Sequence, residues 1–510
     1  MRHRIFWKSL ALSALTLSCS ATVPPKPVSP PAPPRTPPTE PPRPTVAKRE
    51  LPPDSAPSVT RLFPSISSDV LANGMGLDLI ERRGLPIVAL TVLIGAGQVK
   101  DGDHAAVART TAQLLEAGGA GRYSSEALRQ AIDGLGANLS VVTTRDVSHW
   151  SLSVTSDKIP EALDILAALV RKPRFDPKEF VKLRDRELER VRSLAKTSGA
   201  WLAQYWLHRE LYGQPLGIHP YASVDVLPSE LLRLKLDECR RFHREQYVPS
   251  NARLVAVGNV DLQTLKGHAQ KAFGDWVGNA APSLGIAAPS PPERAPITVV
   301  DRPGSSQSDV LVGFFGPQRG SSEFPTIVAL QQIVGGGVAG RLFRDVREKR
   351  SLAYSTYAST QEVASGPAVL TLAAGTQTAK TAETVAALLE NLSLMERTPA
   401  DAEELETAKN YVIRGMPARW ETVESLGSQL LLLRTLGQDN RHFDELRTAV
   451  EGLSLEALKT TAPRYYRRER AAVVVAGDAK TIAESLRDFG PVVVLDPERE
   501  FTIKRKLDAK

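Results

Sequence analysis

The sequence is poor in cysteine, with 2 among 510 residues, and this excludes a fold held together by disulfide bonds. Its amino-terminal apolar run, residues 9–17, is too short to cross a bilayer, which takes about 20 apolar residues. The formal net charge of +7 is modest, and no basic cluster is interleaved with aromatic residues, so nucleic acid is not an expected partner. With 42% hydrophobic and 24% charged residues, most of the chain is predicted to be globular.

The amino terminus has the features of a targeting segment. Residues 1–19 combine a basic start with the short apolar run, which is typical of a secretory signal peptide. The run ends in Leu17-Ser18-Cys19, which resembles a bacterial lipobox, in which the cysteine becomes the first mature residue and carries acyl chains. The alternative is an ordinary cleaved signal peptide with an incidental cysteine.

The next segment is rich in proline. Fifteen of the 38 prolines lie between Pro24 and Pro57, so residues 20–57 are predicted to form an extended linker of polyproline type. A stiff linker directly after an acylated cysteine would hold a folded body away from a membrane. We therefore expect a lipid anchor at Cys19 on the periplasmic side of a bacterial envelope, and Ser20 is compatible with the outer membrane.

Beyond residue 58 the hydrophobic pattern alternates between the periods of strands and helices. Residues 77–80 and 87–94 flank Arg82-Arg83-Gly84, which predicts a β-hairpin. Residues 103–117 predict a helix that ends at Gly118-Gly119, and a second hairpin is predicted around Arg145-Asp146.

Parts of the chain repeat with a nearly constant offset. The segment that ends at Gly258 resembles the one that ends at Gly477, an offset of 219 residues. Residues 176–188 resemble residues 401–411, and Val154 corresponds to Leu372 at an offset of 218. These agreements predict two related domains, residues 58–280 and 297–500. They are joined by a linker at residues 281–296 and followed by a basic tail at residues 501–510.

Several segments carry a resemblance to a known family. They are Leu85-Pro86 through Gly97, Arg122-Tyr-Ser-Ser-Glu126, Phe175-Asp-Pro-Lys-Glu179, His219-Pro-Tyr221 and the stretch from Gly335 to Tyr354. Together they resemble the M16 family of inverted zinc peptidases, the group of pitrilysin, insulinase and mitochondrial processing peptidase. The resemblance implies an α+β fold of two homologous domains, each a mainly antiparallel sheet with helices packed on one face. It also implies that two such chains pair as the halves of a clam shell.

Active members of this family carry His-x-x-Glu-His on the first long helix, where two histidines four residues apart ligate zinc and the glutamate is the general base. Alignment on Leu114-Leu115 and Gly118 places Arg109 and Gln113 at the histidine positions and Ala112 at the glutamate position. The family's third ligand, a glutamate about 76 residues downstream, would fall at Glu189, which is either a residual ligand or a solvated helix charge.

These substitutions argue against zinc chemistry in this chain. A guanidinium keeps its proton, and at 4 Å it repels a divalent cation by about 8 kcal/mol at an effective dielectric constant of about 20. Loss of the general base typically costs on the order of 10²–10⁴ in rate. The sequence therefore predicts no metal and no catalytic residue here, and zinc is expected only in a partner chain.

The second domain keeps the family's other signature. Arg347 and Tyr354, seven residues apart, match the arginine and tyrosine that contact substrate in the family. Without the resemblance they could be a plain ion pair and a core aromatic residue. Gly335 to Gly337 predict a flexible loop beside Arg347.

The combined expectation is a non-catalytic chain that pairs with an active M16 zinc peptidase and uses Arg347 and Tyr354 to bind peptide substrate in the shared chamber. Two alternatives stay open. One is a structural or assembly lipoprotein of the envelope with no proteolytic role. The other is an active zinc metalloendopeptidase with an atypical site.

Overall fold

The computed structural model describes residues 63–213, 219–290 and 292–510, all of which belong to one compact unit, Val59–Lys510. The signal peptide, the lipobox with Cys19 and the proline-rich linker lie outside the described residues and stay predictions. Among the described residues, none of the helices combines the length and the apolar composition needed to span a bilayer.

The first domain is built on a six-stranded sheet. Its strands are β1 (Ser67–Val70), β2 (Gly76–Glu81), β3 (Ile87–Ile94), β4 (Ser140–Thr143), β5 (Ser148–Thr155) and β6 (Ala252–Gly258). Their order is β1-β2-β6-β3-β5-β4, and each neighbouring pair is antiparallel except β2 with β6. The hairpin predicted around Arg145-Asp146 is the β4–β5 connection.

The hairpin predicted around Arg82-Arg83-Gly84 is wrong. Strands β2 and β3 are not neighbours, because β6 lies between them and pairs with both. Apart from Arg253, strand β6 is apolar on both faces and buried, as is typical of a central strand. A local turn signal cannot show that a strand from more than 150 residues downstream enters the gap.

Helices cover one face of this sheet. They are α1 (Val107–Ala117), α2 (Ser125–Gly134), α3 (Ile159–Arg171), α4 (Pro177–Thr197), α5 (Gly199–Tyr212), α6 (Pro228–Arg233), α7 (Leu236–Gln246) and α8 (Leu262–Phe273). Except for α5, which packs elsewhere, their buried side chains join the core that includes Trp150 and Leu90.

The second domain repeats this arrangement on a seven-stranded sheet. Its strands are β7 (Ile297–Asp301), β8 (Gln307–Phe315), β9 (Ala353–Gln361), β10 (Val369–Gln377), β11 (Ala472–Gly477), β12 (Val492–Asp496) and β13 (Thr502–Leu507), in the order β13-β12-β7-β11-β8-β10-β9. Its helices are α9 (Phe324–Gly335), α10 (Thr381–Arg397), α11 (Ala402–Gly415), α12 (Val423–Thr435), α13 (His442–Glu451), α14 (Leu455–Tyr465) and α15 (Ala479–Leu486). The α+β fold of two homologous, mainly antiparallel domains is confirmed.

The repeat seen in the sequence corresponds to equivalent positions in the two domains. Strand β6, which ends at Gly258, and strand β11, which ends at Gly477, are both inserted between strands that are close in sequence. Asp176 caps α4 by accepting a hydrogen bond from Lys178 N (2.7 Å), and Asp401 caps α11 by accepting one from Glu404 N (2.8 Å).

Each domain also lends a helix to the free face of the other domain's sheet. Helix α5 packs on β8 and β11, and α12 packs on β3 and β6. At Gly313 of β8 a Cβ would lie only 2.7 Å from Leu207 Cδ2, so the glycine allows α5 to approach the sheet. The domain junction is therefore a pair of apolar cores rather than a loose contact.

The carboxyl-terminal residues form part of the sheet. Residues 501–510 were predicted to be a basic tail, but Thr502–Leu507 pairs with β12 as an edge strand. Its lysines and arginine are exposed, and charged side chains at an edge strand are a common defence against further strand pairing. Local composition identified the charge but could not show the pairing partner.

Candidate functional site

Helix α1 carries the positions at which the resemblance places the zinc motif. It begins at Val107, four residues later than the sequence predicts, because Ala106 adopts a left-handed conformation with φ 72°. Asp101 accepts hydrogen bonds from the backbone nitrogens of Ala106 (3.1 Å) and Ala108 (2.8 Å), which satisfies the helix start. The side chains at the motif positions are therefore held on a well-capped helix.

The first motif position, residue 109, faces an ionic network instead of an open metal site. Arg109 Nη1 donates to Asp225 Oδ1 at 2.8 Å and lies 3.9 Å from Glu187 Oε2. Ala112 is completely buried in the core, and Gln113 is partly buried. Neither contributes a charge to the network.

Helix α4 supplies the second cation of this network. Arg190 forms two hydrogen bonds with Asp225, Nη2 to Oδ1 at 2.7 Å and Nη1 to Oδ2 at 2.9 Å. Its Nε donates to Glu187 Oε2 at 2.8 Å, and Trp201 Nε1 donates to Asp225 Oδ2 at 3.0 Å. We call Arg109, Glu187, Arg190, Trp201 and Asp225 the arginine cluster.

The electrostatics of the arginine cluster stabilise its charged state. Burial alone raises the pKa of the Asp225 carboxyl, but the hydrogen bond from Arg190 and the charge of Arg109 outweigh it and hold the pKa below its usual value. Burial also opposes the charge of Arg190, yet Asp225 and Glu187 raise the pKa of that guanidinium above its usual value. The two carboxylates and the two guanidiniums neutralise one another.

The residues present do not fit a zinc ion. Zinc needs neutral or anionic donors from nitrogen, sulfur or oxygen, and two of the side chains that converge here are permanent cations. Both oxygens of Asp225 are already occupied by arginine and tryptophan donors. Within the described ranges, no group of three or more histidine, cysteine, aspartate or glutamate side chains could hold a metal ion.

Glu189, the position predicted from the family's third ligand, lies away from this network. Its side chain is 75% exposed and pairs with Arg192 at 2.8 Å. The buried carboxylate of α4 is Glu187, and Arg190, one position after Glu189, donates to it through Nε. Residues 187 and 190 share a helix face, whereas residue 189 points about 100° away from 190.

Sequence reasoning missed Asp225, Arg190 and Trp201 as members of the site. The only signal for Asp225 was a lone acidic residue between Val224 and Val226, shortly after the His219-Pro-Tyr221 segment. No spacing rule connects it to Arg109, because the contact spans 116 residues of chain.

Arg347 and Tyr354 are brought together in the second domain. Arg347 lies in a π-helical segment, Phe343–Lys349, and its guanidinium carbon is 4.7 Å from the ring centre of Phe343 and 4.9 Å from that of Tyr354. Tyr354, at the start of β9, is 83% exposed. The pair therefore forms a stacked cation and aromatic ring at the surface.

The glycines before this pair have a packing role. A Cβ at Gly335 would collide with the backbone nitrogen of Ala358 in β9, so only glycine allows α9 to end against that strand. Gly337 has a φ of 67°, a conformation that favours glycine. The sequence predicted a flexible loop at Gly335 to Gly337. The close approach at Gly335 and the backbone conformation at Gly337 explain two of these three glycines.

Comparisons with known proteins agree on one family. Residues 79–221 match the sequence profile described as insulinase (peptidase family M16), and residues 233–412 match the profile described as peptidase M16 inactive domain. An uncharacterized zinc protease of Bacillus subtilis (strain 168) is 22% identical over 405 residues, which is 79% of this chain and 96% of that protein. An uncharacterized zinc protease of Mycobacterium tuberculosis (strain H37Rv) is 25% identical over 402 residues, 78% of this chain and 90% of that protein.

Solved structures show the same fold. A crystal structure described as a peptidase M16 inactive domain from Pseudomonas fluorescens matches with a TM-score of 0.75 at 23% identity, over 81% of this chain and 98% of that one. A protease from Helicobacter pylori matches with a TM-score of 0.73 at 18% identity, over 81% of this chain and all of that one (100%).

Proposed function

The chain belongs to peptidase family M16, and we propose that it is a non-catalytic subunit that pairs with an active zinc-peptidase chain and binds peptide substrate in the chamber they share. One contrast carries this proposal. The first metal position, Arg109, lies in a partly buried, self-neutralised arginine cluster, whereas Arg347 has no carboxylate partner among the described residues and its neighbour Tyr354 is 83% exposed. Zinc and the general base would come from the partner chain.

The chemistry of Arg347 supports a binding role. No carboxylate of the described part of the chain lies within 4.0 Å of its guanidinium, which rests on two aromatic rings instead. A guanidinium presents five N–H donors, and a peptide backbone offers a carbonyl acceptor at every residue. The exposed hydroxyl of Tyr354 can donate or accept beside it.

The test is a reconstitution. The chain is purified alone and together with an M16 peptidase from the same genome that carries an intact His-x-x-Glu-His motif, and peptide hydrolysis is measured with zinc present. We expect no hydrolysis by this chain alone, and we expect hydrolysis by the pair that exceeds that of the other chain alone. Zinc-dependent hydrolysis by this chain by itself would overturn the proposal.

Substrate contact is tested within the active pair. Arg347→Ala and Tyr354→Phe should each raise KM about tenfold, because each removes a protein group that would hydrogen-bond to the peptide. Arg344→Ala is the matched control, since Arg344 lies on the same segment and pairs with Glu404 at 3.1 Å. Equal KM values for all three variants would exclude a substrate-binding role for the pair.

We extend the proposal to the amino terminus, whose residues lie outside those described. The chain would be anchored through acylated Cys19 on the periplasmic side of a bacterial envelope, in the outer membrane as Ser20 allows. Cys19→Ala should move the chain from the membrane fraction to the soluble fraction, and Cys239→Ala is the control. An unchanged membrane fraction would contradict the lipid anchor.

A further inference from the structure

A cavity of about 340 Å³ lies where the two domains meet, and we call it the Arg145 cavity. It is lined by the turn between β4 and β5, the carboxyl-terminal end of β9 and one side of α12. Arg145, His149 and Gln361 supply polar groups, and Leu431 and Leu436 are among its apolar residues. The cavity is separate from the arginine cluster and from the Arg347–Tyr354 pair.

Arg145 is a buried cation with an unsatisfied hydrogen-bond donor. It is 7% exposed, and its Nη2 makes only a long hydrogen bond of 3.4 Å to Gln361 Oε1. Its Nη1 has no hydrogen-bond partner among the described residues, and none of their carboxylates lies within 4.0 Å of the guanidinium. A buried charge in this state is costly unless something pairs with it.

Two acidic neighbours of Arg145, Asp146 and Glu362, also line the cavity, but their hydrogen bonds go to other groups. Asp146 accepts a hydrogen bond from the Tyr221 hydroxyl at 2.5 Å and another from Ala364 N at 3.2 Å. Glu362 pairs with Arg319 at 2.5 Å. His149 also lines the cavity, and burial lowers its pKa below the usual value, so it is neutral near pH 7. Asp146 acts on Arg145 through its charge, but neither carboxylate hydrogen-bonds to the guanidinium, so the Nη1 donor of Arg145 is left unsatisfied beside apolar walls.

Gln361 connects this cavity to a second one. A space of about 440 Å³, which we call the β9 cavity, runs along β9 and β10 beside α5 and is lined by Ser355, Tyr357, Ser359 and Gln361. From Tyr354 to Gln361 the strand rises about 3.3 Å per residue, or about 23 Å in all. An extended peptide of about seven residues would cover this distance.

We propose that the Arg145 cavity recognises a carboxylate of a bound peptide, either the free carboxyl terminus or an acidic side chain. This inference rests on the proposed peptide-binding function and names the substrate class. A planar guanidinium matches a carboxylate with two parallel hydrogen bonds, and the leucine side chains accommodate an adjacent apolar residue. The peptide would be held by Arg347 and Tyr354 at one end of β9 and by Arg145 at the other.

The test measures peptide binding by the full chain in detergent micelles, using fluorescence anisotropy. The probes are three fluorescein-labelled nonapeptides of one neutral sequence: a free acid, a carboxyl-terminal amide, and an amide with one internal glutamate. We expect the free acid or the glutamate peptide to bind at least tenfold more tightly than the plain amide, and which of the two does so identifies the source of the carboxylate. Equal affinity for all three would overturn the inference.

Two variants locate the effect. Arg145→Gln should abolish the preference for a carboxylate, whereas Arg441→Gln, which changes an arginine that is 77% exposed, should keep it. Ser428→Trp, at an exposed position on the rim of the cavity, should weaken binding of the preferred peptide without disturbing the core. If the preference survives both Arg145→Gln and Ser428→Trp, the carboxylate is bound elsewhere and the inference fails.

The outcome separates this inference from the proposed function. Binding of all three peptides with one affinity that Arg347→Ala reduces would leave the proposed function intact and remove only the carboxylate site. Absence of binding to every peptide would contradict both. If Arg145→Gln does not fold, the peptide series on the unaltered chain and the Ser428→Trp variant still decide the question.

Discussion

The two domains use arginine in opposite ways at their candidate sites. In the first domain, Arg109 and Arg190 are neutralised by Asp225 and Glu187 inside a network that also includes a tryptophan. In the second domain, Arg347 lies on two aromatic rings at the surface, and no carboxylate of the described residues pairs with it.

This difference shows that the same fold can hold an arginine in a closed ionic network or leave its donors without a carboxylate partner. A carboxylate of the same chain stabilises a partly buried cation, because it replaces part of the lost hydration. A surface cation on aromatic rings keeps its donors available to a ligand. The first site therefore joins α1, α4 and the loop that contains Asp225, whereas the donors of Arg347 have no carboxylate partner among the described residues.

The largest effect is expected from removing the shared carboxylate of the arginine cluster. Asp225→Ala leaves two partly buried guanidiniums without their main partner and should lower the free energy of unfolding by about 3–5 kcal/mol. Asp237→Ala is the control, since Asp237 is 86% exposed in its pair with Arg240 and should change stability by less than about 1 kcal/mol. Urea denaturation measures both, and equal effects would show that the cluster is not structural.

The second-largest effect is expected from acid, which should lower the contribution of the arginine cluster to the free energy of unfolding. The pKa of Asp225 in the folded chain is lowered from its model-compound value of 3.8, so the unfolded chain binds the proton more readily. Stability from this group is present above about pH 4 and is lost as the pH falls through the folded pKa, by at most about 1.4 kcal/mol per pH unit.

The measurement is the free energy of unfolding between pH 5 and pH 3, compared with that of Asp225→Asn. Other carboxyl groups titrate in both proteins, so the difference between the two slopes isolates Asp225. A slope in the variant as steep as that of the unaltered chain would contradict the assignment.

A smaller effect on stability is expected at the surface pair. Arg347→Ala removes a partly exposed cation that stacks on aromatic rings and should lower the free energy of unfolding by less than about 1 kcal/mol. The same variant should still weaken peptide binding, which Asp225→Ala would affect only through unfolding. A large loss of stability in Arg347→Ala would remove the contrast between the two sites.

The smallest effect is expected at Glu189. Its side chain is 75% exposed, so Glu189→Ala should change the free energy of unfolding by no more than about 0.5 kcal/mol. Glu187→Ala, two residues earlier on α4, should cost more because its carboxylate is buried against Arg190. If the two variants behave alike, residue 187 has no special role in the arginine cluster.

Much of the fold could be predicted from local and repeated patterns. Sequence similarity predicted that the strands ending at Gly258 and Gly477 are equivalent, and they occupy equivalent places in the two sheets. The β4–β5 hairpin followed from alternating residues around Arg145-Asp146. The prediction of a β2–β3 hairpin was wrong. The turn residues form a loop between β2 and β3, but β6 lies between these strands and pairs with both.

The candidate sites were only partly predictable for a related reason. The absence of histidines at positions 109 and 113 could be recognised from the sequence, because the motif residues are close together in the chain. The replacement network was not, since Asp225 is 116 residues from Arg109 in the chain. The Arg145 cavity was likewise hidden, because its walls come from both domains.

The sequence by itself determined the family, the repeat and the chemistry missing from α1, because each depends on which residues stand close together along the chain. Only the tertiary structure decided which carboxylate neutralises Arg109 and Arg190. It also decided that Arg145 has an unsatisfied donor and which strand is inserted at the centre of each sheet. Those outcomes depend on distances through space between segments that are far apart in the chain, and burial sets the energy of each contact.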